Sequence, residues 1–451
     1  MAAAASKKSA SASSSKSKSH GPASSASLHH HHQLVSPPLL SQALSFEIAR
    51  SSSLQSLKRH LDSFVTKDRT APPLTNAARW RILERWTMAP HSILAFNSSS
   101  TTASSPPSSS SITLLSAILR DAGLGLKSSK KLAALLAKAA EKIILALSTN
   151  SQQTRSSLNK TQNAKSVSLS CDGVAVSLDT TSYERMRVAY QHQDKKTFDE
   201  ALFRLTLRYK SLQGSGARRM GSQAAVPRSA MQVLVEDFGV DTESFASPWN
   251  HACNGGQSAP RRFFSAFPDT DTHFGSCGNF LELDASGELA ASFQGLEVNP
   301  PFYVEVSDAA CRMCRDLLES AETNGRALTV VVVVPSRANE EGVRWCATSP
   351  FHVAELFFEP RRSSFIMATN CAAPSSGAGR AAAGARRRSS HPLSVFILQT
   401  QNGQVKWPCT VAKLQRLYKA FMADEKEEDE EEEEEEEDNK RKHVAKRQRV
   451  E

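Results

Sequence analysis

The run Leu328-Thr-Val-Val-Val-Val-Val334, closed by Pro335, restricts the fold of this chain more than any other stretch. β-Branched side chains are stiff at χ1 and favour extended backbone. A strand with no polar alternation has no face to give to water, so it belongs at the centre of a sheet covered on both sides. Around it, the pattern alternates between helix and strand. Met231–Phe238 predicts a helix. Glu243–Ala246 predicts a strand that stops at Ser247-Pro248-Trp249-Asn250. Leu281–Leu283, ending on Asp284, is a candidate strand, and Ser307–Ala321 reads as a helix with a serine cap. Phe365–Ala368 and Val395–Gln399 are expected to close the sheet, and Val411–Met422 to form a last helix. This alternation predicts an α/β, Rossmann-like fold, with ligands at the carboxyl ends of the strands.

Less regular sequence precedes that core. Residues 1–38 form a basic Ser/Ala-rich arm with no acidic residue before Glu47, and they are expected to be disordered. Leu54-Leu57-Leu61 with Phe64 and Val65, then Ala77–Met88, Ile112–Leu119 and Lys130–Leu147, carry helical apolar spacing. They predict a helical subdomain within residues 39–165, ending in a polar linker over 148–165. A larger region follows over residues 166–423. Its lead-in, residues 166–228, holds a hairpin (Ser166–Ser170 and Val174–Leu178 about Asp172-Gly173), the helices Tyr183–Tyr190 and Phe198–Leu212, and a basic loop at Gly214–Arg219. The core is expected over 229–423, with a low-complexity, Arg-rich insertion at 372–391.

Charge narrows the partners. The net charge of +9 conceals a run, Asp424 to Asp438, that carries −13 and leaves +22 on the other 436 residues. A body this basic suits a polyanion, most simply nucleic acid. The basic clusters within Lys440–Arg449 resemble a nuclear localisation signal read by an import receptor. The eight cysteines make no disulfide framework, and Cys311-x-x-Cys314 lacks a second pair, so no metal site is expected. No apolar run reaches membrane-spanning length.

Asn299-Pro300-Pro301-Phe302 is the motif that carries chemistry. It fits the Asn/Asp/Ser-Pro-Pro-aromatic pattern of enzymes that methylate the exocyclic amine of adenine. That amine is a poor nucleophile, because its lone pair is delocalised into the ring. The Asn299 amide oxygen and the Pro300 carbonyl can accept its two N–H bonds. Consecutive prolines fix φ and hold the acceptors, and Phe302 offers a face for the base to stack on. Positioning for in-line displacement is then most of the catalysis. The motif serves capped RNA, internal RNA and DNA adenine alike, and a binding scaffold that keeps the fold without catalysis is the reading from another class.

Flanking segments extend the match. Phe245-Ala-Ser-Pro248 with Asn250, Ser265-Ala-Phe-Pro-Asp-Thr-Asp271, His273-Phe-Gly-Ser276 and Val298-Asn-Pro-Pro-Phe302 occur in the order that characterises the phosphorylated-CTD-interacting-factor family, which this chain resembles from about Phe198 to Pro408. The resemblance implies S-adenosyl-L-methionine-dependent N6-methylation of the 2′-O-methyladenosine beside the mRNA cap, in the nucleus, alongside RNA polymerase II. It implies Asn299, Pro300, Pro301 and Phe302 for the adenine. For the cofactor it implies Phe245, Ala246, Ser247, Pro248 and Asn250 together with Phe267, Asp269, Asp271, Phe274 and Gly275. Asp269 or Asp271 would take the cofactor's ribose or amino group. Three departures stand out: no tryptophan pair spaced like a WW module, a stretch at Ser292–Glu297 longer than usual, and the Arg-rich insertion.

Overall fold

The computed structural model describes residues 40–68, 74–90, 92, 109–149, 157–191, 194–213, 224–253, 259–367 and 386–422. The basic arm, the loop Gly214–Arg219, most of the 372–391 insertion and the charged tail lie outside the described residues.

Four helices come first: α1 (Leu40–Lys67), α2 (Asn76–Met88), α3 (Ser109–Asp121) and α4 (Leu126–Thr149). A small antiparallel sheet follows, β1 (Asn159–Gln162), β2 (Ser166–Cys171) and β3 (Val174–Asp179), with α5 (Thr180–Ala189) and α6 (Phe198–Gln213) behind it. Asp172 and Gly173 both take positive φ (48° and 78°), as a two-residue hairpin turn requires. The expected linker is partly a strand, because Asn159–Gln162 pairs with Val167–Ser170. Its fully exposed, polar residues gave no apolar alternation to read.

The helices do not close a core of their own. Leu44, Leu57, Trp86, Leu119 and Leu136 share one buried cluster with β2, β3, α5 and α6 and with Trp249, Phe267 and Phe274 of the catalytic half.

The remaining strands are β4 (Ala224–Ala225), β5 (Thr242–Ala246), β6 (Arg262–Ser265), β7 (Gly295–Val298), β8 (Thr329–Pro335), β9 (His352–Phe358), β10 (Ser364–Met367), β11 (Arg386–Arg388) and β12 (Leu393–Gln399). The helices among them are α7 (Arg228–Phe238), α8 (Pro268–Asp271), α9 (Glu288–Ala291), α10 (Val304–Thr323), α11 (Glu341–Thr348), α12 (Gln401–Lys406) and α13 (Val411–Phe421). The main sheet has the order β6-β5-β7-β8-β12-β9. β6, β5, β7 and β8 run parallel, and β12 lies antiparallel between β8 and β9. This is the expected Rossmann-like α/β sheet. All seven residues of β8 are buried. Val330, Val332 and Val334 face α10 and α11, while Val331 and Val333 face α7 and α13.

Several expectations are corrected. Leu281–Leu283 is no strand: Phe280–Glu282 is a 3₁₀ turn, where the Asn279 side chain accepts from the Leu281 N–H and Asp284 accepts from Ser286. Such local side-chain bonds outcompete a ladder. Phe365 and Ile366 do not close the main sheet. β10 pairs with β4 and β11 in a separate three-stranded sheet, and β9 takes the edge beside β12. The arginines of the insertion, Arg386–Arg388, are that sheet's outer strand rather than loop. Ser307 does not cap α10, which starts three residues earlier from Tyr303 and buries Ser307 in its first turns. The second half of the stretch Ser292–Glu297 is the start of β7, which begins at Gly295.

Candidate active site

The chain leaves β5 for β6 on one side and returns past β5 to β7 on the other. The carboxyl ends of β5 and β7 therefore border the crevice where sheets of this kind bind ligands. At the opposite, amino ends of these strands the backbones approach closely: a Cβ on Gly295 would lie 2.7 Å from the Gly239 carbonyl oxygen and 2.9 Å from the Val240 Cα. Asn299 follows the last residue of β7 directly.

Asn299 is 6% exposed, and its Nδ2 donates to the Ala224 carbonyl of β4 at 3.2 Å. A carbonyl only accepts, so the NH₂ side of the amide is committed to β4 and Oδ1 is the atom turned away from it. Pro300 is buried, and the Pro301 carbonyl accepts from the Tyr303 N–H at 2.6 Å. Phe302 is half-buried. Its ring meets that of Phe365 edge-on, with centroids 5.7 Å apart at 74°.

Helix α2 reaches the residues just beyond. The Tyr303 hydroxyl donates to Glu84 Oε2 at 3.0 Å. Burial, then the Glu84 carboxylate, pushes this phenol well above its usual range. Arg85 grips both carboxylate oxygens of Glu305, at 2.5 and 3.0 Å, and also bonds Asp121 of α3 at 2.8 Å. Sequence reasoning missed this contact, since nothing local links residues 84–85 to 303–305.

The segment after β5 is a closed turn. Asn250 Oδ1 accepts from the Ser247 N–H at 2.7 Å and from the Ser247 hydroxyl at 2.9 Å, and the Ser247 carbonyl accepts from the N–H groups of Asn250 and His251. Phe245 and Ala246 are half-buried, Ser247 and Pro248 buried; the Phe245 ring meets Phe280 edge-on. This turn lies at the carboxyl end of β5, beside Asn299's strand.

The Phe267–Gly275 segment is held differently. Asp269 receives two bonds from Arg208, at 3.0 and 2.8 Å. Arg208 in turn bonds both oxygens of Glu47 on α1, and Glu47 also binds Arg50. Asp271 is fully buried, and its carboxylate accepts from the Tyr209 hydroxyl at 2.6 Å and from Thr270 at 2.8 Å. Burial outweighs these bonds and lifts its carboxyl to about 6. Phe267 and Phe274 are core residues against Tyr209 and Tyr190, and Gly275 takes φ +95° to close the turn. The structure thus brings Phe245–Asn250 to the crevice with Asn299–Phe302. It gives Asp269 and Asp271 protein partners.

Two other carboxylates stand at the crevice. Glu243 and Glu297 are in-register partners on β5 and β7, exposed by only 2% and 1%. Glu243 accepts from the Ala252 N–H at 2.8 Å, whereas Glu297 Oε2 has no hydrogen-bond partner among the described residues. Burial raises Glu243 to about 7, and burial with the Glu243 charge holds Glu297 well above the usual range. A glutamate inside the apolar segment Gly295–Val298 was the available signal for Glu297; Glu243, between Thr242 and Ser244, gave none.

Comparison with known proteins adds the relationship. Residues 181–367 match the family model described as phosphorylated CTD interacting factor 1 WW domain. In this chain those residues run from α5 to β10, through most of the main sheet, with tryptophans at 249 and 345. A human protein named mRNA (2′-O-methyladenosine-N(6)-)-methyltransferase is 28% identical over 257 residues, 55% of this chain and 33% of the relative. A mouse protein of the same name is 33% identical over 169 residues, 36% of this chain and 22% of the relative. The chain therefore spans about a third or less of the curated relatives it matches. Through residues 181–367, which hold the Asn299–Phe302 motif at the sheet's carboxyl edge, this chain is similar to the phosphorylated CTD interacting factor family.

Proposed function

We propose that this chain methylates N6 of the 2′-O-methyladenosine next to the mRNA cap, using S-adenosyl-L-methionine. The observation that carries the reading is Asn299 at the carboxyl end of β7, with its NH₂ side bound to β4 and Oδ1 left to accept. Asn299 Oδ1 and the Pro300 carbonyl accept the two N–H bonds of the target amine. That draws its lone pair out of conjugation, while Phe302 stacks on the base. The names of the human and mouse relatives support this choice of atom and substrate.

The crevice suits the proposed donor. The methyl donor is a cation at sulfur and carries an ammonium group, and the orphaned Glu297 Oε2 beside Glu243 belongs to a buried anion-forming pair that a cation would neutralise. The Phe245–Asn250 turn is placed to hold the donor's adenosine, with Phe245 and Ala246 as its apolar side. Bound there, the donor supplies an electrophilic methyl group. The chain's own residues align the amine, exclude water through Pro300 and Phe302, and leave the departing amine proton to solvent at the open side of Phe302. Phe267, Phe274 and Gly275 shape the second wall from behind, and Asp269 and Asp271 brace it rather than touch ligand.

The basic body suits RNA, the Lys440–Arg449 clusters suit an import receptor and nuclear location, and the family's name points to the polymerase II machinery. Among the described residues no helix is long and apolar enough to cross a membrane, and no group of three or more His, Cys, Asp or Glu could hold a metal.

The test is transfer of labelled methyl to two RNAs that begin with 2′-O-methyladenosine, one capped and one uncapped. Label on the capped RNA alone is expected. Equal label makes the chain an internal adenine enzyme, and none on either makes it a scaffold. Asn299→Ala is expected to lower transfer by about 100-fold or more, the usual scale for losing a preorganised polar group, with the fold retained and only the modest drop in unfolding midpoint that follows from leaving the Ala224 carbonyl without its donor.

A further inference from the structure

We propose that helix α2 is part of the base-binding apparatus, with Glu84 and Arg85 as positioning residues for Asn299–Phe302; the inference rests on the function proposed above. The two prolines that fix the motif also remove two backbone N–H donors, so the loop cannot be tied down by its own ladder. Its observed ties are few. Asn299 is held by Ala224, and the Pro301 carbonyl is held by the Tyr303 N–H. The Phe302 ring packs edge-on against Phe365, and a further fastening comes from α2, on the residues that follow Phe302 directly.

That fastening has two points. Glu84 takes the Tyr303 hydroxyl at 3.0 Å, and Arg85 takes both oxygens of Glu305. Two adjacent residues of one helix thus grip positions 303 and 305 of another segment, more than 200 residues away in sequence. A two-point attachment fixes rotation as well as distance, and both contacts are charge-assisted. The anchor itself is rigid. Glu84 is 8% exposed, its neighbours Leu83 and Trp86 are in the core, and Arg85 is braced from behind by Asp121 of α3. Helix α10 joins the motif through the Tyr303 carbonyl, which accepts from the Val306 and Ser307 N–H groups, but it has no side-chain cap there to fix the angle at which the motif enters it. Helix α2 sets that angle, and with it the direction of Pro300's carbonyl and Phe302's ring.

The test uses the full chain with Glu84→Ala, Tyr303→Phe, the double variant and the conservative Glu84→Gln. Two readouts are taken: methyl transfer to capped RNA, and hydrogen exchange at the Phe302, Tyr303 and Val304 amides. Each single variant is expected to lower kcat about tenfold or more, the scale of a hydrogen bond to a charged group, with KM for the donor unchanged. The double variant should be no worse than Glu84→Ala alone, because the bond that Tyr303→Phe removes is already gone there. Glu84→Gln keeps an acceptor and should recover most of the rate. The three amides should exchange about tenfold faster in Glu84→Ala, as local opening becomes easier. Wild-type exchange and wild-type kcat in Tyr303→Phe would overturn the proposal, as would independent, additive losses in the double variant. If Glu84→Ala does not fold, Tyr303→Phe decides. If the wild-type chain transfers nothing, the functional reading fails by itself, and the exchange measurement still decides whether α2 orders the motif.

Discussion

Replacing Glu47 by glutamine removes one charge from a buried network without changing shape. Glu47 lies between Arg50, at 2.7 Å, and Arg208, at 2.7 to 3.0 Å, and is fully buried. Burial alone would push its carboxyl up, but the two guanidinium groups more than offset this and bring it from the ordinary 4.5 down to about 2. That difference corresponds to about 3 kcal/mol in favour of the charged form. The neutral amide of Glu47→Gln stands in for the protonated acid, so the variant should lose about that much stability at pH 7. The pH dependence has a definite sign. The folded state binds this proton less readily, so Glu47's contribution is complete above about pH 4.5 and is lost as pH falls toward 2. Urea unfolding of both chains should therefore show a gap of about 3 kcal/mol at pH 7, of which about 2 kcal/mol has gone by pH 3. A gap under about 1 kcal/mol at neutral pH would refute the argument. So would a gap of the same size at pH 3 and pH 7.

Other outcomes follow from single residues. Gly295→Ala would drive a Cβ into the Gly239 carbonyl at 2.7 Å, against the backbone of Gly239 and Val240; a loss of about 2 kcal/mol or more should appear as a lower unfolding midpoint. Burial, then the charges of Arg185 and Arg228, lowers His251 to about 4, so its ring, stacked on Phe263 at 4.3 Å, should stay neutral at pH 6 by NMR titration. The unfolded chain takes that proton first, so this residue removes stability as pH falls from about 6.5 to 4.

What the sequence disclosed depended on how local the determining forces were. The valine run fixed β8 because consecutive β-branched residues have no other home. Asp172-Gly173 announced its hairpin through backbone conformation. By contrast, β6 is four residues long and β9 reads as a half-polar edge with Glu355 inside it, so neither raised a clear signal. β10 carried a good strand pattern, yet which sheet it joins depends on Ala224, some 140 residues earlier. The acidic residues of the Ser265–Asp271 segment were legible as special but not for what purpose: Asp269's partners, Arg208 and, beyond it, Glu47, are distant in sequence. Glu84 and Arg85 lie in a segment, Ala77–Met88, that was legible only through its apolar helical spacing. Chemistry was thus readable where one short segment carries it, and unreadable where two elements share it.

The pairing of β10 with β11 also bears on how this chain can change over generations. Ile366 sits opposite Arg386, so the two ends of the eighteen residues between Met367 and Arg386 are pinned about one strand spacing, some 5 Å, apart. Doubling the length of a chain segment closed in this way costs only about 0.6 kcal/mol. Residues can be gained or lost there while Phe365 stays against Phe302. A single residue inserted between Gly295 and Glu305 would instead rotate Asn299 away from Ala224 and carry Tyr303 past Glu84. Lineages descended from this sequence should therefore vary in length at the first position and keep a strict residue count at the second.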